Sequence, residues 1–208
     1  MPTQSINGVR VLIVDDDPAL RGALNGVLDM NGLEVLEADS RKSALALLEE
    51  ETDIAVIILD LGMPPAVHST EEGLAVIKAL SAKMYPAKII VLTGQDHEQS
   101  AFEAIREGAF DFLSKPASIE DILQSVKRAV LFYRKEQALA EEGTTRLQFN
   151  AKVSDGLKAV REEAEEKLVR QVLKDTGFNI YASAARLGLK RESLYYFLKK
   201  FEIKRDDS

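Results

Sequence analysis

The sequence predicts an α/β fold, a doubly wound parallel sheet followed by a small all-α domain. Two observations carry the prediction. Four short apolar runs, at residues 11–14, 54–59, 89–92 and 110–113, are separated by segments in which apolar residues recur with helical spacing. That alternation is expected of parallel strands joined by crossover helices. From Ser154 onward, three segments of helical period follow one another.

Each strand run ends on a polar group. Asp15 and Asp16 follow the first run, Asp60 the second, Thr93 the third, and Lys115 lies just past the fourth. In an open parallel sheet, side chains at the carboxyl ends of strands converge on one edge, where ligand sites lie. Three carboxylates in one crevice repel unless a hard cation or a shared proton offsets them. Magnesium is the natural occupant, because it prefers oxygen ligands, keeps waters and bridges carboxylates to phosphoryl groups. Lys115 then supplies charge and donors to phosphoryl oxygens, and Thr93 a short hydroxyl donor. Asp60 ends the most continuously apolar strand and is cast as the nucleophile that accepts a phosphoryl group.

These residues resemble the receiver domains of bacterial two-component response regulators, over roughly residues 9–131. The resemblance implies a five-stranded, flavodoxin-like sheet. It gives Asp15 and Asp16 as the acidic pair holding Mg2+, Asp60 as the phosphorylated aspartate and Gly62 as the source of a backbone carbonyl ligand. Thr93 and Lys115 take the positions that contact the phosphoryl group, with Phe112 at the aromatic switch position and Pro116 after the lysine. It further implies a phosphohistidine donor, normally a sensor histidine kinase, and a conformational change on the face of the fourth helix, fifth strand and fifth helix.

Taken singly, the signals have plainer readings. Residues 15–18, Asp-Asp-Asp-Pro, suit a helix cap, and Phe112 suits a core. The turns at Met63-Pro64-Pro65, Thr93-Gly94 and Lys115-Pro116 are individually ordinary. Their order at successive strand ends is not. One departure stands out: Gly73, which opens the third helical pattern, lies thirteen residues after Asp60, about five more than receivers use. The extra residues fall in the loop 65–72, either as a gate or partner determinant or as a tolerated surface insertion.

Composition restricts the function classes. A 208-residue chain with 46% hydrophobic residues has room for one ordinary domain and a small one, with a real core. Without cysteine there is no disulfide or thiolate metal site. No apolar run approaches the roughly 18 residues of a membrane span, and residues 1–8 lack the apolar core of a signal peptide, so the expectation is a cytoplasmic protein with no membrane partner. His68 and His97 lie in polar contexts and carry no assigned role. Charge is unevenly placed. Residues 1–166 hold 17 Lys and Arg against 29 Asp and Glu, whereas residues 167–205 hold 10 against 3.

The expected organisation is a receiver at 1–140, a linker at 141–153 and a DNA-binding domain at 154–208. The fifth receiver helix opens on a Ser118-to-Asp121 capping pattern and carries Ile122, Val126, Ala129, Val130 and Tyr133 on one face. Gly143 and two threonines then break the helix. A helix from Ser154 or Asp155 shows the stripe Leu157, Val160, Ala164, Leu168 and Val172, up to Thr176-Gly177. Two short helices follow, 180–187 and 191–201, joined by Gly188-Leu189-Lys190. Such a Gly-containing turn marks a helix-turn-helix, whose second helix enters the DNA major groove. Small Ala184 and Ala185 suit close helix approach, with Leu187, Leu189, Leu194, Leu198 and Ile203 as core. Lys190, Arg191, Glu192, Ser193, Tyr195, Tyr196, Lys199 and Lys200 are left for the solvent face.

Residues 163–203 resemble the Fis-type helix-turn-helix, most specifically over Ala184 to Tyr195. The resemblance implies that Lys190 to Tyr196 approach bases and phosphates of double-stranded DNA, with Lys199 and Lys200 on the backbone. Relatives often have basic residues at Tyr196 and Phe197, and their loss weakens the electrostatic part of binding. Larger nitrogen-regulation-type proteins carry an ATP-hydrolysing module between these domains. This chain has no Gly-x-x-x-x-Gly-Lys-Ser/Thr loop. The expected function is therefore a non-enzymatic, phospho-accepting regulator. It acts as a homodimer through the helix at 154–176 and recruits or blocks RNA polymerase. The competing expectation is a signalling adaptor whose C-terminal helices bind a protein.

Overall fold

The computed structural model describes residues 6–65, 69–94, 98–144 and 156–205. Strands and helices alternate as β1 (Arg10–Val14), α1 (Pro18–Met30), β2 (Glu34–Ala38), α2 (Arg41–Glu50), β3 (Ile54–Leu59), α3 (Glu71–Ala82), β4 (Lys88–Thr93), α4 (Glu98–Glu107), β5 (Asp111–Ser114) and α5 (Ile119–Glu141). Three helices follow: α6 (Gly156–Asp175), α7 (Ile180–Arg186) and α8 (Arg191–Lys200). The chain divides into two compact units, residues 1–145 and 146–208.

The first unit is a five-stranded, all-parallel sheet in the order β2-β1-β3-β4-β5. Alternate residues of each strand serve opposite faces, as the pleat requires. Leu12, Val14, Ile57, Leu59 and Val91 face a core closed by Ala44 and Leu48 of α2, by Leu74, Ile77 and Leu80 of α3 and by Ala104 of α4. Val11, Ile13, Val56, Ile58 and Leu92 face the opposite core, closed by Leu24 and Leu28 of α1 and by Ile122, Val126, Ala129 and Val130 of α5. The sheet is therefore doubly wound. Covering both faces explains why β3 reads as an unbroken apolar run, with all six of its residues buried.

β2 was not visible as an apolar run because Glu34 and Glu37 interrupt it. It is an edge strand, pairs only with β1, and buries Ala38 alone. An edge accepts charged side chains that a central strand does not.

Local signals set the helix starts. Asp17 caps α1 by accepting from the Ala19 and Leu20 amides, with Pro18 in the first turn. Ser118 caps α5 by accepting from the Asp121 amide, and the face read from sequence is the buried one, with Tyr133 half-buried. Of the long loop before α3, residues 66–68, including His68, lie outside the described residues, as do His97 and most of the linker read at 141–153.

Gly73 brings α3 against the end of β3. A Cβ there would stand 2.5 Å from Leu61 Cα and 2.9 Å from the Asp60 carbonyl oxygen, both backbone atoms.

In the second unit a small core joins Val169 and Leu173 of α6, Ala184 of α7, Leu194 of α8 and Ile203, with Phe178, Leu187, Phe197, Leu198 and Phe201 packed around it. Gly188 takes φ of +65° after α7, and the Leu189 amide donates back to the Ala184 carbonyl at 2.8 Å, which ends α7 and turns the chain into α8. Two expectations are corrected. Of the stripe on α6, Leu157 and Leu168 are exposed, and the buried positions are Val169, Val172 and Leu173, because the buried apolar contacts of α6 come from its C-terminal part. Ala184 is buried but Ala185 is exposed. Phe197, at a position often basic in relatives, packs against the core, stacked on Phe201 with centroids 5.9 Å apart.

The Gly73 contact gives a measurable expectation. Gly73→Ala should cost about 1–3 kcal/mol in urea unfolding of the first unit. Gly26→Ala, in α1 with nothing within 4 Å of the added methyl, should be neutral or stabilising by up to about 1 kcal/mol.

Candidate functional site

The sheet seats the site residues through its own ladder. The Asp60 amide donates to the Val14 carbonyl (2.8 Å), the Asp15 amide to the Ala38 carbonyl (3.1 Å) and the Lys115 amide to the Thr93 carbonyl (2.6 Å). The chain leaves β1 in one direction to form β2 and returns on its other side as β3. Asp15 and Asp60 thus stand at the point where strand order reverses, the usual place for a ligand in this architecture.

Asp15, Asp60 and Thr93 are buried, and Asp16 and Lys115 less so. One oxygen from each of Asp15, Asp16 and Asp60 falls within 4.8 Å of the others. Lys115 Nζ donates to Asp15 Oδ2 at 2.7 Å and lies 3.1 Å from Asp60 Oδ2. The second Asp15 oxygen accepts from the Asp17 amide at 2.9 Å. At the same edge Thr93 Oγ1 is fully buried with no hydrogen-bond partner among the described residues. An orphaned buried hydroxyl is costly unless something completes it.

Among the described residues, charge in this crevice is unbalanced, with three carboxylates against one ammonium. Burial raises the Asp60 carboxyl above its ordinary value. Lys115 opposes that rise, Asp15 adds to it, and the Gly62 backbone, hydrogen-bonded to the carboxylate, opposes it. For Lys115, burial alone would lower the ammonium, but the bond to Asp15 and the charges of Asp60 and Asp15 outweigh it and hold the value above normal. The donor set fits a hard divalent cation, because all-oxygen ligands carry excess negative charge. The free hydroxyl and the ammonium suit the oxygens of an anionic group.

Phe112 pairs with Val91 in the ladder and packs half-buried against the α2–α4 side of the core. Its neighbour Asp111 points the other way and accepts from Ser125 and Arg128 of α5. Sequence reasoning missed this link and missed Arg21. Arg21 Nη1 donates to the Asp15 carbonyl at 2.6 Å, and its Nε lies 3.3 Å from Glu37, which also accepts from Asn25. The only signal for Arg21 was a cation one helical turn after the acidic pair, which is too common a pattern to single out.

In the second unit Lys190, Arg191, Glu192, Tyr195, Tyr196 and Lys199 are exposed along α8 and the turn before it. Ser193 and Lys200 are half-buried, and Lys200 pairs with Glu162 and Glu165.

Residues 11–127 match the response regulator receiver domain family. The chain belongs to that family. Residues 160–201 match a second family, described as bacterial regulatory protein, Fis family. This response regulator is 34% identical over 121 residues to the C4-dicarboxylate transport transcriptional regulatory protein DctD of Pseudomonas aeruginosa, a match covering 58% of this chain and 25% of that protein. It is 29% identical over 198 residues to the DctD of Rhizobium meliloti, covering 94% of this chain and 41% of that one. The chain thus spans between a quarter and about two fifths of the length of these relatives. A crystal structure of a response regulator receiver domain protein from Clostridium thermocellum superposes with a TM-score of 0.56 and 27% identity, over 61% of this chain and 97% of the other. No helix among the described residues is long and apolar enough to cross a membrane.

The buried Asp60 carboxyl makes stability depend on pH. A folded-state value above the unfolded one means that the folded chain binds more protons in that window. The contribution is therefore favourable below pH of about 4 and is lost as pH rises through the folded value. In chelator at pH 7, Asp60→Asn should be more stable than wild type in thermal melting, with the gap closing as pH falls toward about 4. Equal stability at pH 7 would show that Lys115 already compensates the buried charge.

Proposed function

We propose that this protein is a two-component response regulator that accepts a phosphoryl group on Asp60 with Mg2+ and, through α7 and α8, controls binding to double-stranded DNA and so transcription. One observation above all supports this reading: the Lys115 ammonium reaches both Asp15 and Asp60 at a sheet edge where the Thr93 hydroxyl has no partner among the described residues.

In the proposed reaction an Asp60 carboxylate oxygen attacks the phosphorus of a phosphohistidine on a sensor kinase. The new P–O bond forms as the P–N bond breaks, and the imidazole leaves with the bonding electrons. Asp15, Asp16, Asp60 and the Gly62 carbonyl would hold the ion, which when bound offsets carboxylate charge and polarises phosphoryl oxygens. Lys115 exchanges a carboxylate oxygen for a phosphoryl oxygen, and Thr93 Oγ1 gains the acceptor it lacks. Phe112, paired with Val91 two residues before Thr93 on the same face of the sheet, is the side chain placed to respond.

For the output unit, the exposed Lys190, Arg191, Tyr195, Tyr196 and Lys199 support a face that approaches bases and phosphates, with Glu192 and Ser193 beside them. Homodimerisation through α6 is supported by Leu157, 85% exposed, and Leu168, 40% exposed, on a helix otherwise rich in charge. Contact with RNA polymerase follows from the proposed control of transcription, and a cytoplasmic location from DNA as the partner.

Retention of sheared genomic DNA by the purified protein tests the whole reading. With Mg2+ and a beryllofluoride phosphoryl mimic, wild type should retain a selective set of fragments in a salt-sensitive way, and the mimic should leave Asp60→Asn unchanged. Lack of selective retention in every state would move the C-terminal helices to a protein partner. Sedimentation at micromolar protein should show a dimer with the mimic, and a monomer in both states would remove α6 as the dimer element.

A further inference from the structure

The cations of the last helix do not share one environment. Lys190, Arg191 and Lys199 are exposed, whereas Lys200 turns back onto α6. Its ammonium lies 3.3 Å from Glu162 Oε1 and 3.4 Å from Glu165 Oε2, and 4.8 Å from the centre of the Phe201 ring. Glu165 is held in turn by Arg161 at 2.8 Å. The same joint is tied in the opposite direction. Arg170 of α6 donates from Nη2 to the Phe201 carbonyl at 3.0 Å and pairs with Glu166 at 2.8 Å. That carbonyl is at the end of α8, where helix carbonyls lack intrahelical donors. Two cations therefore lock the C-terminal end of α8 to α6, one reaching from each helix. A DNA phosphate could engage Lys200 only by displacing two carboxylates and leaving both near its own negative charge.

We infer that Lys200 is a positioning residue that fixes the end of α8 on α6, and that Glu162 and Glu165 withhold its charge from DNA. This reverses the expectation from sequence that Lys200 touches the DNA backbone, and it rests on the proposed DNA-binding role of α8. The orientation of Lys190 to Tyr196 is then set partly by this joint. The electrostatic footprint on DNA comes from fewer cations than the sequence offers.

Counterion release distinguishes a phosphate ligand from a positioning residue, because each lost phosphate contact lowers the slope of log Kobs against log salt by about 1. The experiment measures fluorescence anisotropy of the full chain on a labelled random-sequence duplex of about 30 base pairs, between about 50 and 200 mM salt. Lys199→Gln should lower the slope by about 1, whereas Lys200→Gln should leave it unchanged. Glu162→Gln with Glu165→Gln should free Lys200 and steepen the slope by about 1, and adding Lys200→Gln to that pair should remove the increment. A drop of about 1 for Lys200→Gln in the otherwise wild-type chain would overturn the inference. Thermal melting supplies an independent reading through a double-mutant cycle. Lys200→Gln and the double glutamine variant should be non-additive, and additive effects would remove the joint. If wild type shows no salt-dependent binding, the DNA-binding reading and the masking of charge both fall, while the melting cycle still decides the positioning role.

Discussion

The Lys115 ammonium between Asp15 and Asp60 is the interaction on which the first unit depends. Three carboxylates at the edge of a buried sheet repel one another, and burial raises the free energy of their charged forms. One cation at 2.7 and 3.1 Å lets Asp15 and Asp60 share the crevice, yet it does not neutralise the set. Among the described residues, negative charge remains and the Thr93 hydroxyl has no partner, an arrangement compatible with a bound cation. A site that needs a ligand to complete its polar contacts can respond when the ligand arrives, because the two states then differ in interaction free energy.

The rest of the sheet holds this edge in place. Parallel pairing brings four strand ends to one side, and alternate residues anchor each strand to helices on both faces. Several devices then fix single groups. Arg21 grips the carbonyl of Asp15 and is itself held by Glu37, so the loop carrying the acidic pair is tied to the edge strand. Gly73 lets α3 lie against the backbone of Asp60 and Leu61 without a clash. Asp111 ties β5 to α5 on the face opposite Phe112, which gives the strand between Thr93 and Lys115 a direct connection to the helix that leads into the linker.

The second unit works on a smaller scale. Its core is a handful of apolar side chains, several of them aromatic, and the polar joint between α6 and α8 adds directionality that such a core lacks. It matters which of its charged side chains face solvent and which pair within the unit. Lys200 and Lys199 are adjacent in sequence and differ in this respect.

The sequence by itself determined the parallel architecture, the polar residues that the fold gathers at the carboxyl edge of the sheet, and the two-helix turn. Those features rest on local rules: apolar runs for buried strands, helical period for helices, and glycine where φ is positive. The strand β2 was illegible because an edge strand need not be apolar, and the inward register of α6 was misread because exposed Leu157 and Leu168 complete an amphipathic pattern as well as buried residues do. Only the tertiary structure decided which carboxylates Lys115 reaches, that Arg21 holds Asp15, that Thr93 has no hydrogen-bond partner among the described residues, that Phe197 packs against the core and that Lys200 pairs with Glu162 and Glu165. Each of these depends on how the folded chain brings groups together, or on which of two possible partners lies nearer, and no local pattern encodes either.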